Sequence, residues 1–178
     1  MRLKKKLMIF LDLLGICALV ALDQYTKYLA VIHLKDKHAF IIINGVLELN
    51  YLENKGAAFG MLQNQKAFFI FVAVVILSVI GYVLLKMPNH KKYRILHLLL
   101  SLIAAGAIGN MIDRIRLNYV VDFIYFVLIN FPIFNVADIY VTVSTAILVI
   151  LLLFVYKEND LSFISFKSKR YREVKYKK

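Results

Sequence analysis

The sequence is short of cysteine, proline, tryptophan and acidic residues. Its single cysteine, Cys17, excludes an intrachain disulfide and any metal site built from several cysteines. The four histidines are scattered, and no two have the spacing of metal ligands, so we expect neither a metal nor another cofactor. No serine lies in the context of a nucleophile elbow. Carboxylates are therefore the catalysts available to any hydrolase built from this chain.

The residues present in excess are apolar and basic. Hydrophobic residues make up 61% of the 178 positions, against about 45–50% in a soluble domain, which excludes an ordinary water-soluble globule. The 23 Lys and Arg outnumber the 11 Asp and Glu, for a net charge of +12. These cations form short runs between apolar blocks, whereas a nucleic-acid partner requires a basic face on a soluble fold. We therefore do not expect nucleic acid as a partner.

Four apolar segments have the length of membrane spans, since a helix needs about 20 residues to cross a bilayer. The sequence predicts a membrane protein of the all-α class, folded as a single integral membrane domain over residues 1–178. The predicted spans cover approximately residues 7–30, 67–85, 95–112 and 139–156.

The distribution of basic residues predicts the orientation of these spans, because excess Lys and Arg remain on the cytoplasmic side. The N-terminus, the loop between the second and third spans and the tail 157–178 hold sixteen cations, and the stretches Asp23–Lys66 and Asp113–Asp138 hold seven. We therefore expect both termini to be cytoplasmic and segments 33–66 and 113–138 to be external. The basic tail would also contact anionic lipid.

The two external segments differ in pattern. Residues 41–51 are rich in β-branched residues around an Asn44-Gly45 pair, a pattern typical of a small β-hairpin or curved sheet. Residues 125–132 are apolar but too short to span a bilayer. They predict a short helix or flap that lies in the membrane interface.

Polar residues cluster at the external ends of the spans, although ionisable groups there cost free energy unless they have a partner or a function. Asp23 and Lys27 share one helix face and can pair; taken alone, they suggest an interfacial ion pair that ends the first span. Asn110, Asp113 and Arg114 share a face of the third span. The glycines and alanines just before them allow another helix to approach closely, but packing does not account for the three polar residues.

Asp122 and Asp138 are the acids most closely bracketed by apolar residues. The simplest role for Asp138 is the N-cap of the fourth helix, whereas Asp122 has no comparable structural role. Two carboxylates that face each other in a poorly hydrated site share a proton, as in aspartic proteases. The sixteen positions between these residues leave open whether they meet.

Five short motifs together resemble the lipoprotein signal peptidases, or signal peptidase II, which are membrane aspartyl proteases of bacteria. Each motif alone is weak, but all five occur in order in a chain with four predicted spans. They lie at residues 23–27, 54–60, 109–114, 120–123 and 134–138.

The resemblance implies that Asp122 and Asp138 are the catalytic pair, near the outer face of the cytoplasmic membrane. One departure is Ala105, where the family often has a glycine, and it concerns helix packing only. The residues that the resemblance implies in substrate binding or site support are Asp23, Lys27, Asn54, Gly56, Asn110, Asp113, Arg114, Asn135 and Ala137.

The resemblance also implies partners. The expected substrate is a prolipoprotein whose cysteine carries diacylglycerol, cut on the amino side of that cysteine in a monomeric enzyme surrounded by membrane lipid. Cyclic lipopeptide inhibitors of the globomycin type would bind at the dyad. Two other classes remain: a small transporter, whose acids should cluster near the midplane of the bilayer, and a membrane scaffold, which would leave the polar cluster unexplained.

Overall fold

The computed structural model describes residues 2–56 and 62–164. Part of the second motif, residues 57–60, and most of the basic tail, residues 165–178, lie outside the described residues. Helices are α1 (Arg2–Leu34), α2 (Lys66–Lys86), α3 (Arg94–Leu117) and α4 (Val136–Phe154); strands are β1 (Phe40–Ile43), β2 (Leu47–Asn54) and β3 (Val120–Phe126). Each of these four helices is long and apolar enough to cross a membrane, which confirms the predicted fold class.

Helix α3 is the centre of the bundle. Half of its span is buried, against 11% of the α1 and α4 spans and 6% of the α2 span. Small residues make this position possible: a methyl group added at Gly106 would overlap the carbonyl oxygen of Ala137, and one at Gly109 would overlap the Asp23 carboxylate. The first turn of α4 and the polar face of α1 therefore both lie against the backbone of α3.

The helices α3 and α4 extend further than the predicted spans at the end where they meet the sheet. Asn118, in the left-handed region at φ 70°, ends α3, so Asp113 and Arg114 are helical. At the start of α4, the Asn135 side chain accepts from the backbone of Asp138, whose carboxylate accepts from the backbone of Asn135. This capping box makes Asn135 the N-cap, and the expectation that Asp138 fills that position is wrong.

A three-stranded antiparallel sheet in the order β1-β2-β3 covers one end of the bundle. The predicted hairpin is confirmed: β1 and β2 are joined by a turn in which Gly45 has φ 69°, a conformation that glycine adopts without strain. Strand β3 was not predicted. It takes up the start of the segment 125–132. In the rest of that segment, where a short helix or flap is predicted, Val127–Ile129 form a 3-10 helix of three residues.

Two apolar clusters hold these elements together. One lies within the bundle, around Met87 and Leu100. The other joins the last turns of α1 to the sheet, through Ala30 and Leu34 packed with Val121 and Phe123. The second cluster fixes β3, and therefore Asp122, relative to α1.

Candidate active site

Lys27 lies at the centre of a buried polar network between α1 and α3. Its ammonium contacts Asp23 Oδ2 at 2.9 Å, Asp113 Oδ2 at 3.0 Å and Asn110 Oδ1 at 2.9 Å. The three acceptors match the three hydrogens of the ammonium, and the Lys27 side chain is only 3% exposed. The predicted Asp23–Lys27 pair is confirmed, but it does not end the span, because α1 continues to Leu34.

The two carboxylates on Lys27 also bind backbone. Asp23 Oδ1 accepts from the N–H of Ala137 at 3.0 Å, and Asp113 Oδ2 accepts from the N–H of Val121 at 3.2 Å. These bonds attach the first turn of α4 and the start of β3 to the network. Asp23, Asp113 and Ala137 thus fix the positions of the two elements that carry Asp122 and Asp138.

Gln24 is a member of this network that sequence reasoning missed. Its Nε2 donates to Asp113 Oδ1 at 2.9 Å and to the carbonyl oxygen of Gly109 at 3.2 Å. A polar residue next to Asp23 within an apolar segment was the available signal, since an amide there needs hydrogen-bond partners. Gln24 adds a second tie between α1 and α3.

Asn135 connects Asp122 and Asp138. Its side-chain Nδ2 donates to Asp122 Oδ1 at 2.6 Å, and its backbone N–H donates to Asp138 Oδ2 at 3.1 Å. Both carboxylates line one cavity of about 390 Å³. The fold therefore brings together two acids that lie sixteen positions apart, one on β3 and one in the first turn of α4.

Each of the two carboxylates has a further amide donor. Asn54 Nδ2 donates to Asp122 Oδ2 at 2.8 Å, and Asn110 Nδ2 donates to Asp138 Oδ1 at 2.8 Å. Three asparagines from β2, α3 and the N-cap of α4 thus hold the two acids in place. An amide suits this role because it can donate to a carboxylate whether or not that carboxylate is ionised.

The environment of Asp122 favours its protonated form. Its side chain is 1% exposed, and burial raises the pKa of Asp122 to about 7. The negative charge of Asp138 acts in the same direction, and the hydrogen bonds from Asn54 and Asn135 act against it. Asp122 therefore retains a proton at pH values where an exposed aspartate has lost it.

Arg114 anchors the turn that follows β2. Its guanidinium donates to the carbonyl oxygen of Gly56 at 3.1 Å and to that of Asn110 at 3.3 Å, and it lies over the Phe69 ring at 4.4 Å from the centroid. Gly56 in turn donates its N–H to Asn54 Oδ1 at 2.9 Å. Arg114 thereby supports the asparagine that contacts Asp122, while its neighbour Asp113 pairs with Lys27.

All eleven predicted site residues belong to this one region. Asn54, Gly56, Asn110 and Arg114 line the cavity with the two aspartates, and the remaining five form the buried network behind them. The rest of the cavity wall is mostly apolar and includes Ile139 and Val143, which are exposed on the outside of α4. Within residues 2–56 and 62–164, no group of three or more His, Cys, Asp or Glu could hold a metal ion.

Comparison with known proteins identifies the family. The family model described as signal peptidase (SPase) II matches residues 15–154. The chain belongs to the signal peptidase II family. It is accordingly an aspartic protease, and the four helices of membrane-span length within residues 2–56 and 62–164 make it a multi-pass membrane protein.

Individual relatives also support membership of this family. A lipoprotein signal peptidase of Caldanaerobacter subterraneus is 48% identical over 136 residues, 76% of this chain and 90% of the relative. That of Streptococcus pyogenes serotype M5 is 43% identical over 159 residues, 89% of this chain and 98% of the relative. A bacterial membrane enzyme solved by the in meso method at 2.3 Å resolution superposes with a TM-score of 0.72 at 32% identity, covering 90% of this chain and 94% of that one.

Proposed function

We propose that Asp122 and Asp138 form the catalytic dyad of a peptidase that removes the signal peptide from diacylglyceryl-modified prolipoproteins. The cut falls on the amino side of the lipidated cysteine. The observation that carries the proposal is the bridge through Asn135, which holds both carboxylates at one cavity with bonds of 2.6 and 3.1 Å. The relatives named lipoprotein signal peptidase support the substrate class.

The dyad works with one proton shared between two acids. When Asp122 carries this proton, the Asp138 carboxylate removes a proton from water, whose oxygen attacks the scissile carbonyl carbon. Asp122 gives its proton to the carbonyl oxygen, which forms a neutral tetrahedral intermediate. When the carbon–nitrogen bond breaks, Asp138 returns its proton to the departing amine and the hydroxyl proton goes back to Asp122.

The shape of the cavity suits a substrate that remains in lipid. Its polar part contains the two aspartates, and its apolar part includes Ile139 and Val143 on the exposed face of α4. A lipidated peptide can thus reach the dyad from the bilayer. The transporter alternative is less favoured, because Asp122 lies on a strand outside the spans and Asp138 in the first turn of α4, rather than near the midplane.

The same proposal includes the setting of the enzyme. The chain acts as a monomeric single domain in the bacterial cytoplasmic membrane, with cytoplasmic termini and with the dyad near the outer face. Membrane lipid surrounds it, and cyclic lipopeptides of the globomycin type inhibit it by occupying the cavity at the dyad. The mainly apolar cavity wall supports this binding mode, because such inhibitors carry an acyl chain beside a polar ring.

Substitution of the two acids tests the mechanism. Asp122→Asn and Asp138→Asn preserve the shape of each side chain but cannot exchange the proton, so each should slow cleavage of a lipidated prolipoprotein by about 10³-fold or more. Asp36→Asn is the matched control, because Asp36 is exposed and outside the cavity. Near-parental turnover by either dyad variant would remove that residue from the catalytic pair.

A further inference from the structure

A second cavity, of about 580 Å³, lies between the last turns of α1 and the sheet. It shares no lining residue with the cavity at the dyad. Successive residues of a strand point to opposite faces of a sheet. Asp122 lines the first cavity and Phe123 the second, so the two cavities are on opposite faces of β3.

The wall of this second cavity is apolar, and its volume is within the range of about 300–1,000 Å³ that is typical of small-molecule sites. Helix α1, the start of β1 and the two other strands all contribute to it. The apolar side chains are Leu29, Ala30, Leu34, Ala39, Phe40, Leu49 and Phe123.

The rim of the cavity is basic. His33, Lys37 and His38 line it and are exposed. Lys37 uses one hydrogen of its ammonium on the carbonyl oxygen of Ile32 at 3.0 Å, which leaves two for a ligand. No acidic side chain among residues 2–56 and 62–164 forms an ion pair with any of these three residues.

Lys35, two positions before Lys37, differs from Lys37 in having an acidic partner. Lys35 pairs with Glu53 at 2.9 Å and does not line the cavity. Asp36, which lies between the two lysines in sequence, does not line it either. The cavity therefore offers unneutralised donors at the rim, and no carboxylate lines it to pair with a cationic headgroup.

The position of the cavity along α1 matches the lipid headgroup layer. The span Lys5–Leu34 has 30 residues, which corresponds to about 45 Å of helix. That length equals the thickness of a bilayer with both headgroup layers, about 40–45 Å. The end of α1 at Leu34 thus lies among headgroups, with His33 about 6 Å further along the axis than Leu29.

We propose that the cavity between α1 and the sheet binds one anionic phospholipid of the surrounding leaflet. Its phosphate accepts hydrogen bonds from Lys37, His33 and His38, and an acyl chain lies against the apolar wall. Charged hydrogen bonds to phosphate are among the strong ones, and the apolar wall distinguishes a lipid from a free anion. The three rim residues do not line the cavity at the dyad, so substitutions at the rim test lipid binding separately from the peptidase reaction.

Native mass spectrometry of the delipidated full-length protein tests the proposal. Titration with dioleoylphosphatidylglycerol should give one tightly bound lipid, with at least about fivefold weaker binding of dioleoylphosphatidylcholine. The double variant Lys37→Gln/His33→Gln should bind phosphatidylglycerol about tenfold more weakly. Ala39→Trp, which fills the cavity, should also weaken it, whereas Lys35→Gln should bind as the parent does.

Several outcomes would overturn the proposal. Equal affinity of the parent and the double variant would show that the basic rim does not hold the lipid. An equal loss in Lys35→Gln would indicate attraction by net charge alone, and equal binding of phosphatidylcholine would contradict the anionic headgroup. Displacement of the lipid by equimolar glycerol 3-phosphate would show that the cavity is a site for a free phosphate ester. Peptidase activity of the same variants, expected to be unchanged, separates this test from that of the dyad.

Discussion

Lys27 holds the side-chain oxygen of Asn110 at 2.9 Å, and this contact fixes the orientation of the Asn110 amide. Because an ammonium can only donate, Asn110 must turn its oxygen toward Lys27. Its Nδ2 then points to Asp138 Oδ1 at 2.8 Å. Lys27 therefore directs a hydrogen-bond donor onto a dyad carboxylate that it does not itself contact by hydrogen bond or ion pair.

The Asn110→Asp variant separates these two contacts. An aspartate can still accept from Lys27, but it cannot donate to Asp138 and it adds negative charge beside the dyad. We expect at least about a 100-fold slower cleavage, with the protein still folded in detergent. Asn159→Asp, at an exposed position, is the control for added charge. Parental cleavage rates for Asn110→Asp would show that the donor to Asp138 is dispensable.

Gly109→Ala tests the close approach of α1 to α3. The new methyl group would overlap the Asp23 carboxylate, which also holds the N–H of Ala137. Overpacking of this kind costs about 1–3 kcal/mol, so both the melting temperature and the cleavage rate should fall. Gly81→Ala on α2 has open space around the added carbon and should be neutral. Equal melting temperatures for Gly109→Ala and Gly81→Ala would show that the close contact at Gly109 does not stabilise the fold.

The pKa of Asp122, raised to about 7 by burial and then by the charge of Asp138, predicts a pH dependence of stability. The folded state binds a proton that the unfolded state has released above its ordinary value of about 3.9. The stabilisation is complete below that value and is lost as the pH rises through about 7. Thermal unfolding in detergent should thus give a lower melting temperature at pH 8 than at pH 5. In Asp122→Asn the difference in melting temperature between pH 5 and pH 8 should shrink. An unchanged difference would show that Asp122 is not the group responsible.

Arg114 makes contacts that a lysine cannot reproduce. Two guanidinium nitrogens of Arg114 donate to two carbonyl oxygens while the planar guanidinium lies over the Phe69 ring. The single ammonium of a lysine has neither two donor nitrogens in a fixed geometry nor a planar surface. We expect Arg114→Lys to reduce processing about tenfold and Arg114→Ala to reduce it further. Arg116→Lys, the same substitution at an exposed position, should process normally. Full activity of Arg114→Lys at matched expression would show that Arg114 acts only as an interfacial cation.

The sixteen-to-seven distribution of cations predicts that both termini are cytoplasmic. A reporter enzyme that is active only outside the cytoplasm should be inactive when fused at the C-terminus. The same reporter fused after Asn118, at the end of α3, should be active. The reverse pattern would place the dyad on the cytoplasmic side and overturn the proposed orientation.

Local patterns in the sequence were sufficient for much of the fold. Each span is a long apolar run, which determines a helix in lipid whatever its neighbours are. The hairpin depends on Asn44-Gly45, and the Asp23–Lys27 pair depends on helical spacing. These features involve residues at most a few positions apart.

The geometry of the site depended on long-range contacts that the sequence does not display. Strand β3 is an apolar run whose partner, β2, is almost seventy residues away, as the bond from Asn54 to Asp122 illustrates. An N-cap is the simplest role that the sequence suggests for Asp138, because Asp is frequent there, whereas in the structure Asn135, three positions earlier, both caps the helix and reaches Asp122. The resemblance to a family identified the pair of acids, but only the fold shows how one asparagine bridges them.

The polar contacts between α1 and α3 have a consequence for the order in which the protein assembles. Lys27 of α1 pairs with Asp113 of α3 at 3.0 Å, and Asp12 of α1 contacts His97 of α3 at 2.7 Å. Each ionisable group costs about 2.5–3.5 kcal/mol in the centre of an isolated helix in lipid. During synthesis α1 therefore enters the membrane with Lys27 paired only to Asp23 of its own helix and with Asp12 still lacking His97. Helix α2 brings no acidic residue that could take the place of Asp113. The N-terminal helix remains an incomplete structure until the third helix has emerged.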